Sequence, residues 1–153
     1  MQFYLYADAD AAEVLAWLAA YCTENGLPTE LTEDAHGTDF WCPRFVLGLY
    51  ADPEEAQSRR EFADFLLRDY GVTVRADAEL DGQYSPAGCS EAQFADIIRY
   101  LLGKFDGDFF LFSEFYEWIV YRRDGTVFVH EEWAALFSDE PESCNRHPDG
   151  DSA

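Results

Sequence analysis

Basic residues are scarce: 10 Lys+Arg stand against 31 Asp+Glu in 153 residues, a formal net charge of −21. A protein that grips a phosphate backbone needs clustered Lys and Arg to displace counterions, so this balance argues against nucleic-acid binding and equally against adhesion to an anionic membrane. Long apolar runs are missing as well. No stretch approaches the roughly 18 consecutive apolar residues of a spanning helix. The first six residues lack the basic n-region of a secretory signal, and Asp8 and Asp10 follow at once. Cys22, Cys42, Cys89 and Cys144 are far apart and form no CxxC pair. Free thiols in a cytoplasmic protein are therefore expected rather than disulfides.

The usual motifs of chemistry are also absent. There is no GxSxG, no Walker loop and no GxGxxG. His130-Glu131-Glu132-Trp133 lacks the second His that HExxH places at i+4 to share a metal. His36 and His147 have no evident orienting partner. Neither Asp106-Gly107-Asp108 nor the segment Asp77 to Gly82 fits the twelve-residue calcium loop. The expectation is no catalytic residue, no metal and no cofactor.

Aromatic residues, by contrast, are plentiful: 13 Phe, 9 Tyr and 4 Trp. An acidic chain that stays unfolded is depleted in them, because it cannot bury enough surface to offset chain entropy. This chain has the means to form a core, and its length suits one domain. Phe3 to Ala7 reads as a strand. Asp10 caps a helix carrying Val14, Leu15, Leu18, Tyr21 and Cys22 on one face, and Gly26 ends it. Leu27 to Asp39 reads as an exposed connection, and Phe40 to Tyr50 as a strand interrupted by Pro43. A second helix from Pro53 to Tyr70 presents Phe62, Phe65, Leu66 and Tyr70, with Gly71 as its stop. Val72, Val74, Ala76, Ala78 and Leu80 alternate with Thr73, Arg75, Asp77, Glu79 and Asp81, the period of a strand with one wet face.

Ser90 and Gln93 form a capping box for a third helix with Phe94, Ile97, Ile98, Leu101, Leu102 and Phe105 on its stripe. A strand begins at Phe109. The segments 117–123 and 126–130 flank Asp124-Gly125, a pair suited to a type I′ turn because both central residues need positive φ. Residues 131–137 close with a helical turn, and 138–153, rich in Pro, Asp and Ser, read as a disordered tail. Together these signals predict one α+β domain over residues 1–137: a mostly antiparallel sheet with three helices packed on one face and the other face open.

That open face is the candidate binding site. Asp77, Glu79 and Asp81 project from it if the apolar set faces the helices, with Glu114, Glu117 and Trp118 from the last strands nearby. The run from Phe109 to Tyr121 is so uniformly aromatic that either both its faces are covered or one exposes a large aromatic patch. Exposed aromatics beside carboxylates suit an interface with a basic partner.

The C-terminal half carries a recognisable order. Phe94-Ala95-Asp96-Ile97-Ile98-Arg99 leads to Asp106-Gly107-Asp108-Phe109-Phe110-Leu111-Phe112. An acid follows (Glu114 or Glu117), then Ile119-Val120-Tyr121-Arg122-Arg123-Asp124-Gly125, Val127-Phe128-Val129 and Trp133. Over about residues 70–135 this resembles the immunity proteins that accompany bacterial swarm-inhibition toxins, the Sit-type immunity family. The resemblance implies a small cytoplasmic antidote, a monomer or small homo-oligomer, that binds and neutralises a protein toxin and has no catalytic residues of its own. The charge agrees independently, since an acidic protein gains electrostatic steering towards a basic toxin. Two alternatives remain open: a nucleic-acid mimic that occupies a defence enzyme's DNA site, and a carboxylate-dependent enzyme.

Overall fold

The computed structural model describes residues 1–35, 37–50, 53–84, 87–114 and 117–137. The tail expected at residues 138–153, with Cys144 and His147, lies outside these residues, as does His36. The described residues build one antiparallel sheet of eight strands with four helices, an α+β domain. In chain order the elements are β1 (Gln2–Ala7), α1 (Ala11–Glu24), β2 (Glu30–Asp34), β3 (Gly37–Trp41), β4 (Val46–Tyr50), α2 (Ala56–Tyr70), β5 (Leu80–Gln83), α3 (Glu91–Leu102), β6 (Phe109–Ser113), β7 (Trp118–Arg123), β8 (Thr126–Val129) and the short α4 (Ala134–Phe137). Across the sheet the strands run β2-β3-β4-β5-β1-β6-β7-β8.

Local chemistry sets the helix ends. The Asp10 carboxylate accepts from the Ala12 N–H, and Gly26 takes a φ of 67° beyond the end of α1. Ser90 and Gln93 make the reciprocal capping box of α3. Gly71, at φ 70°, stops α2. In the β7–β8 hairpin Asp124 and Gly125 sit at φ 49° and 81°, as the type I′ geometry requires.

Both faces of the sheet carry helices, which differs from the expected one-sided packing. Helices α1, α3 and α4 cover one face, where Phe3, Leu5, Leu47, Leu80, Phe109, Leu111 and Val120 meet Val14, Leu18, Phe94, Ile98 and Leu101. Helix α2 lies on the other, its Phe62, Phe65, Leu66 and Tyr70 packed on Tyr6, Phe110, Phe112, Tyr121 and Phe128. This arrangement explains the aromatic run: Phe109 and Leu111 point to one helix layer, Phe110 and Phe112 to the other.

The alternating run 72–80 is not a strand. Its burial does alternate, with Val72, Ala78 and Leu80 buried and Thr73, Arg75 and Asp77 exposed. Its backbone bonds go elsewhere, however. The Thr73 N–H donates to the Asp108 carboxylate and the Arg75 N–H to the Ala7 carbonyl, while 76–78 form a 3₁₀ turn. The segment is an extended crossover from α2, and sheet pairing starts only at Leu80. The expected connection 27–39 instead supplies β2, the edge strand, and the start of β3. All five β2 residues are exposed, so no buried alternation marks it. The apolar run 40–50 is two strands folded about a turn closed by the Cys42 N–H to the Phe45 carbonyl.

Gly82 sits where β5 passes beneath the core. A Cβ there would overlap the Phe3 ring and press on Leu47. The Phe3 ring is itself held against Phe94 at 4.8 Å between centroids, so it has little room to yield. Gly82→Val is expected to lower stability by about 1–3 kcal/mol through overpacking, read as a shift of the urea midpoint at unchanged slope.

Candidate functional site

Helix α2 covers only half of its face. Residues opposite one another in an antiparallel sheet share a face. One row therefore runs Thr32–Asp39–Gly48–Asp81–Tyr4–Phe112–Trp118 across the sheet, from the β2 edge to β7. A second runs Glu30–Trp41–Val46–Gln83–Gln2. The rings of Tyr4 and Phe112 stack at 5.1 Å under the helix side. Among the described residues no helix covers the other half, built on β2 to β5: Trp41, Val46 and Tyr50 are 41%, 43% and 42% exposed. The Tyr50 ring lies over Gly48, and its hydroxyl donates to Asp39 at 2.7 Å. The result is an aromatic and aliphatic surface set among the carboxylates of Glu30, Asp39 and Asp81.

At the border between the two halves stand Glu79 and Asp81. The Tyr6 hydroxyl donates to Glu79 Oε2 at 2.8 Å. Burial, and then the neighbouring Asp81 carboxyl, push the Glu79 carboxyl up to about 7, against the lowering effect of the Tyr6 bond and of Arg59. Burial and the Glu79 charge in turn raise the Tyr6 phenol. Asp81 Oδ1 is buried with no hydrogen-bond partner among the described residues. Glu79 therefore keeps its proton to a higher pH than an ordinary carboxyl.

A pH dependence follows from the raised value. Between the ordinary 4.5 and about 7 the folded Glu79 holds a proton that the unfolded chain has released. Its contribution to stability is thus full below pH 4.5 and is lost as pH rises through 7. The Tm difference between the wild type and Glu79→Gln is expected to move in favour of the variant from pH 5 to pH 8, as measured by calorimetry in matched buffers. A difference that stays flat with pH would refute the assignment.

A cavity of about 280 Å³ opens beside this pair beneath the first turns of α2, lined by Tyr4, Tyr6, Phe62, Phe112, Glu55, Ser58, Arg59 and Glu79. Further along α2 a second, apolar cavity of about 220 Å³ lies among Phe62, Phe65, Tyr70, Phe110, Phe112 and Trp118.

The residues expected from sequence do not form one cluster. Glu79 and Asp81 lie together, but on the face that α2 partly covers rather than on an open one. Asp77, on the 3₁₀ turn, lines a different cleft with Arg59, Arg60 and Arg75. Trp118 is half-buried under α2, its ring edge-on to Tyr121 and His130 at 5.2 and 5.1 Å. Glu114 and Glu117 flank the β6–β7 connection, where the Glu114 N–H donates to the Gln2 carbonyl and the Ser113 N–H to the Glu117 carbonyl. Trp41, Tyr50 and Val46 were not expected. Their signal was the Pro43-Arg44 turn inside the apolar run, which aims Trp41 and Val46 to one side as partners.

The motif that carries the resemblance serves the scaffold. Arg122 donates to the carbonyls of Leu102, Phe105 and Gly107, while Asp108 accepts from the N–H groups of Thr73 and Asp124. Trp133 packs in the core against Phe94 and Phe137. The free thiols Cys22, Cys42 and Cys89 are buried, and burial, then Cys42, push the Cys22 thiol up to about 12. A thiol so raised supplies almost no thiolate for chemistry. Among the described residues no group of three His, Cys, Asp or Glu is placed to hold a metal, and no helix is long and apolar enough to cross a membrane. No protein-family profile, curated protein or solved structure matches the chain.

Proposed function

We propose that this chain is a cytoplasmic, non-catalytic inhibitor that binds and neutralises a basic protein toxin, and that the uncovered half of the sheet on β2 to β5 is its binding face. The observation that carries the reading is the composition of that face: Trp41, Val46 and Tyr50 stand open among carboxylates in a chain of net charge −21. Large apolar side chains at the centre of an interface supply most of its energy, and a ring of carboxylates steers a basic partner onto them. A strand face also holds these groups at fixed spacing, so little conformational entropy is lost on docking. The resemblance of residues 70–135 to Sit-type immunity proteins supports the same class.

The test is co-expression with the product of the neighbouring gene in a host that this product kills. Growth restored by the wild-type chain, with a complex recovered through a tag on either protein, is the expected outcome. A host that dies regardless sinks the reading. A second reading, a carboxylate-dependent enzyme, has one observation in its favour: Glu79 holds a proton near neutrality, as a general acid does. It predicts turnover lost in Glu79→Gln, whereas the inhibitor reading predicts no turnover in either form. A nucleic-acid mimic would need carboxylates spaced like phosphates along the surface, and the apolar centre of this face supports a protein partner instead.

A further inference from the structure

The cavity beneath the first turns of α2 has two kinds of wall. One is aromatic: Tyr6 lies 5.2 Å from Phe62 between ring centroids, Phe62 lies 4.9 Å from Phe112, and Phe112 stacks on Tyr4 at 5.1 Å. The other is acidic: Glu55 and Glu79 line the cavity, and Asp81 stands behind Glu79 with its buried Oδ1 unpartnered among the described residues. One cation shares the space. The Arg59 guanidinium lies 3.6 Å from Glu55 and also acts on Glu79, so one cation faces the carboxyls of Glu55, Glu79 and Asp81. At about 280 Å³ the cavity is smaller than the roughly 300–1,000 Å³ of a drug-sized ligand site, and it suits a single side chain.

We propose that this cavity receives one guanidinium or ammonium side chain of the partner, stacked on the aromatic wall and paired with Glu79. The inference rests on the inhibitor reading for the identity of the partner, but the chemistry of the pocket stands by itself. Aromatic faces attract a cation through their negative quadrupole, most strongly where water is excluded. A carboxyl held towards its neutral form by burial and a neighbouring acid, as Glu79 is, gains from such a guest, because the cation supplies the countercharge that favours ionisation. The groups that face Glu79 are Tyr6 and Tyr4 from β1, Asp81 from β5, Glu55 at the N-cap of α2, and Ser58 and Arg59 from its first turn. Of these, Arg59 alone opposes a second cation. Position adds a further argument: Asp81 is the residue of the cross-sheet row that separates the covered aromatic half from the open half. A partner seated on Trp41, Val46 and Tyr50 therefore has the pocket at the border of its footprint, where an anchoring side chain would enter.

The direct test uses n-butylguanidinium as the probe and n-butylurea, its neutral counterpart, as the control. Each is titrated into the isotope-labelled full chain at pH 7 while backbone and aromatic NMR signals are followed. The expected result is saturable shifts confined to Tyr4, Tyr6, Phe62, Ser58 and Glu79 with the cation and none with the urea. Glu79→Gln should weaken the cation's binding by about tenfold or more, since it removes the charge while keeping the shape. Glu33→Gln, on the exposed edge strand, serves as the charge control and should change nothing. Shifts spread evenly over the acidic surface, an equal response to the urea, or full binding by a folded Glu79→Gln would each overturn the proposal. The two readings separate cleanly. If the toxin complex is as tight with Glu79→Gln as with the wild type, the pocket inference falls and the inhibitor reading stands. If the probe binds as described while no toxin is neutralised, the inhibitor reading falls and the cation pocket stands.

Discussion

Replacing Arg122 with Met is expected to cost about 3–5 kcal/mol of folding stability. Arg122 is 7% exposed, and its guanidinium reaches back from β7 to the end of α3. There its Nη1, Nη2 and Nε donate to the carbonyls of Leu102, Phe105 and Gly107 at 2.7, 2.7 and 2.8 Å. Those carbonyls belong to the terminus of α3 and the turn that follows, where a helix has no backbone donors of its own to offer and where the dipole favours a cation. The side chain also lies over the Phe105 ring at 4.7 Å. Met keeps the apolar stem and removes every donor, so three acceptors lose a charged partner at once. For a domain of this size the loss corresponds to a fall in Tm of about 10 °C. Lys, with one compact ammonium in place of a planar fork, should recover only part of it. A Tm within about 2 °C of wild type for Arg122→Met would show that water replaces these bonds freely.

The second large effect is on binding rather than folding. Trp41→Ala is expected to weaken the toxin complex by about 30-fold or more, the ordinary consequence of truncating a central aromatic anchor. Because Trp41 is 41% exposed in the free chain, its loss should change stability by only about 1 kcal/mol. Asp39→Lys should act differently. It breaks the bond from the Tyr50 hydroxyl and reverses a charge at the centre of the face. The association rate should then fall, along with part of its dependence on salt. Surface plasmon resonance at two ionic strengths separates these outcomes: Trp41→Ala raises the dissociation rate and Asp39→Lys lowers the association rate. Equal affinities for both variants and the wild type would remove the face from consideration.

How much of this was legible in the sequence depends on what holds each element. The Ser90–Gln93 box, the Asp124-Gly125 turn and the stripe Phe94 to Leu101 are local, and local chemistry determined them. The strand β2 is not local. Glu30, Leu31, Thr32, Glu33 and Asp34 are exposed on an edge and are strand only because β3 pairs with them. The run from Val72 to Leu80 misled for the opposite reason. Its side chains alternate between core and solvent, as in a strand, while its backbone bonds to a carboxylate, to a strand end and to its own turn. Periodicity reports burial, and a ladder needs a partner that periodicity does not reveal. The side of the sheet taken by α2 was hidden likewise, since Phe62, Phe65 and Leu66 show that a helix buries a stripe and not against which face. Within the candidate site, that Glu79 and Asp81 share one side was readable from their two-residue spacing; that α2 partly buries them there was not. Trp41, Val46 and Tyr50 were not readable either, because an unbroken apolar run looks buried until the turn at Pro43 divides it.

The measurement that bears most directly on the proposed function is growth of a host expressing the neighbouring gene's product, scored with the wild-type chain, with Trp41→Ala combined with Asp39→Lys, and with Asp77→Lys. The last substitution lies in the cleft with Arg60 and Arg75, away from the open face. The account predicts that the wild type and Asp77→Lys restore growth, that the double variant fails although it folds and accumulates normally, and that the captured toxin is basic. Full protection by the folded double variant, or protection lost only with Asp77→Lys, would contradict it.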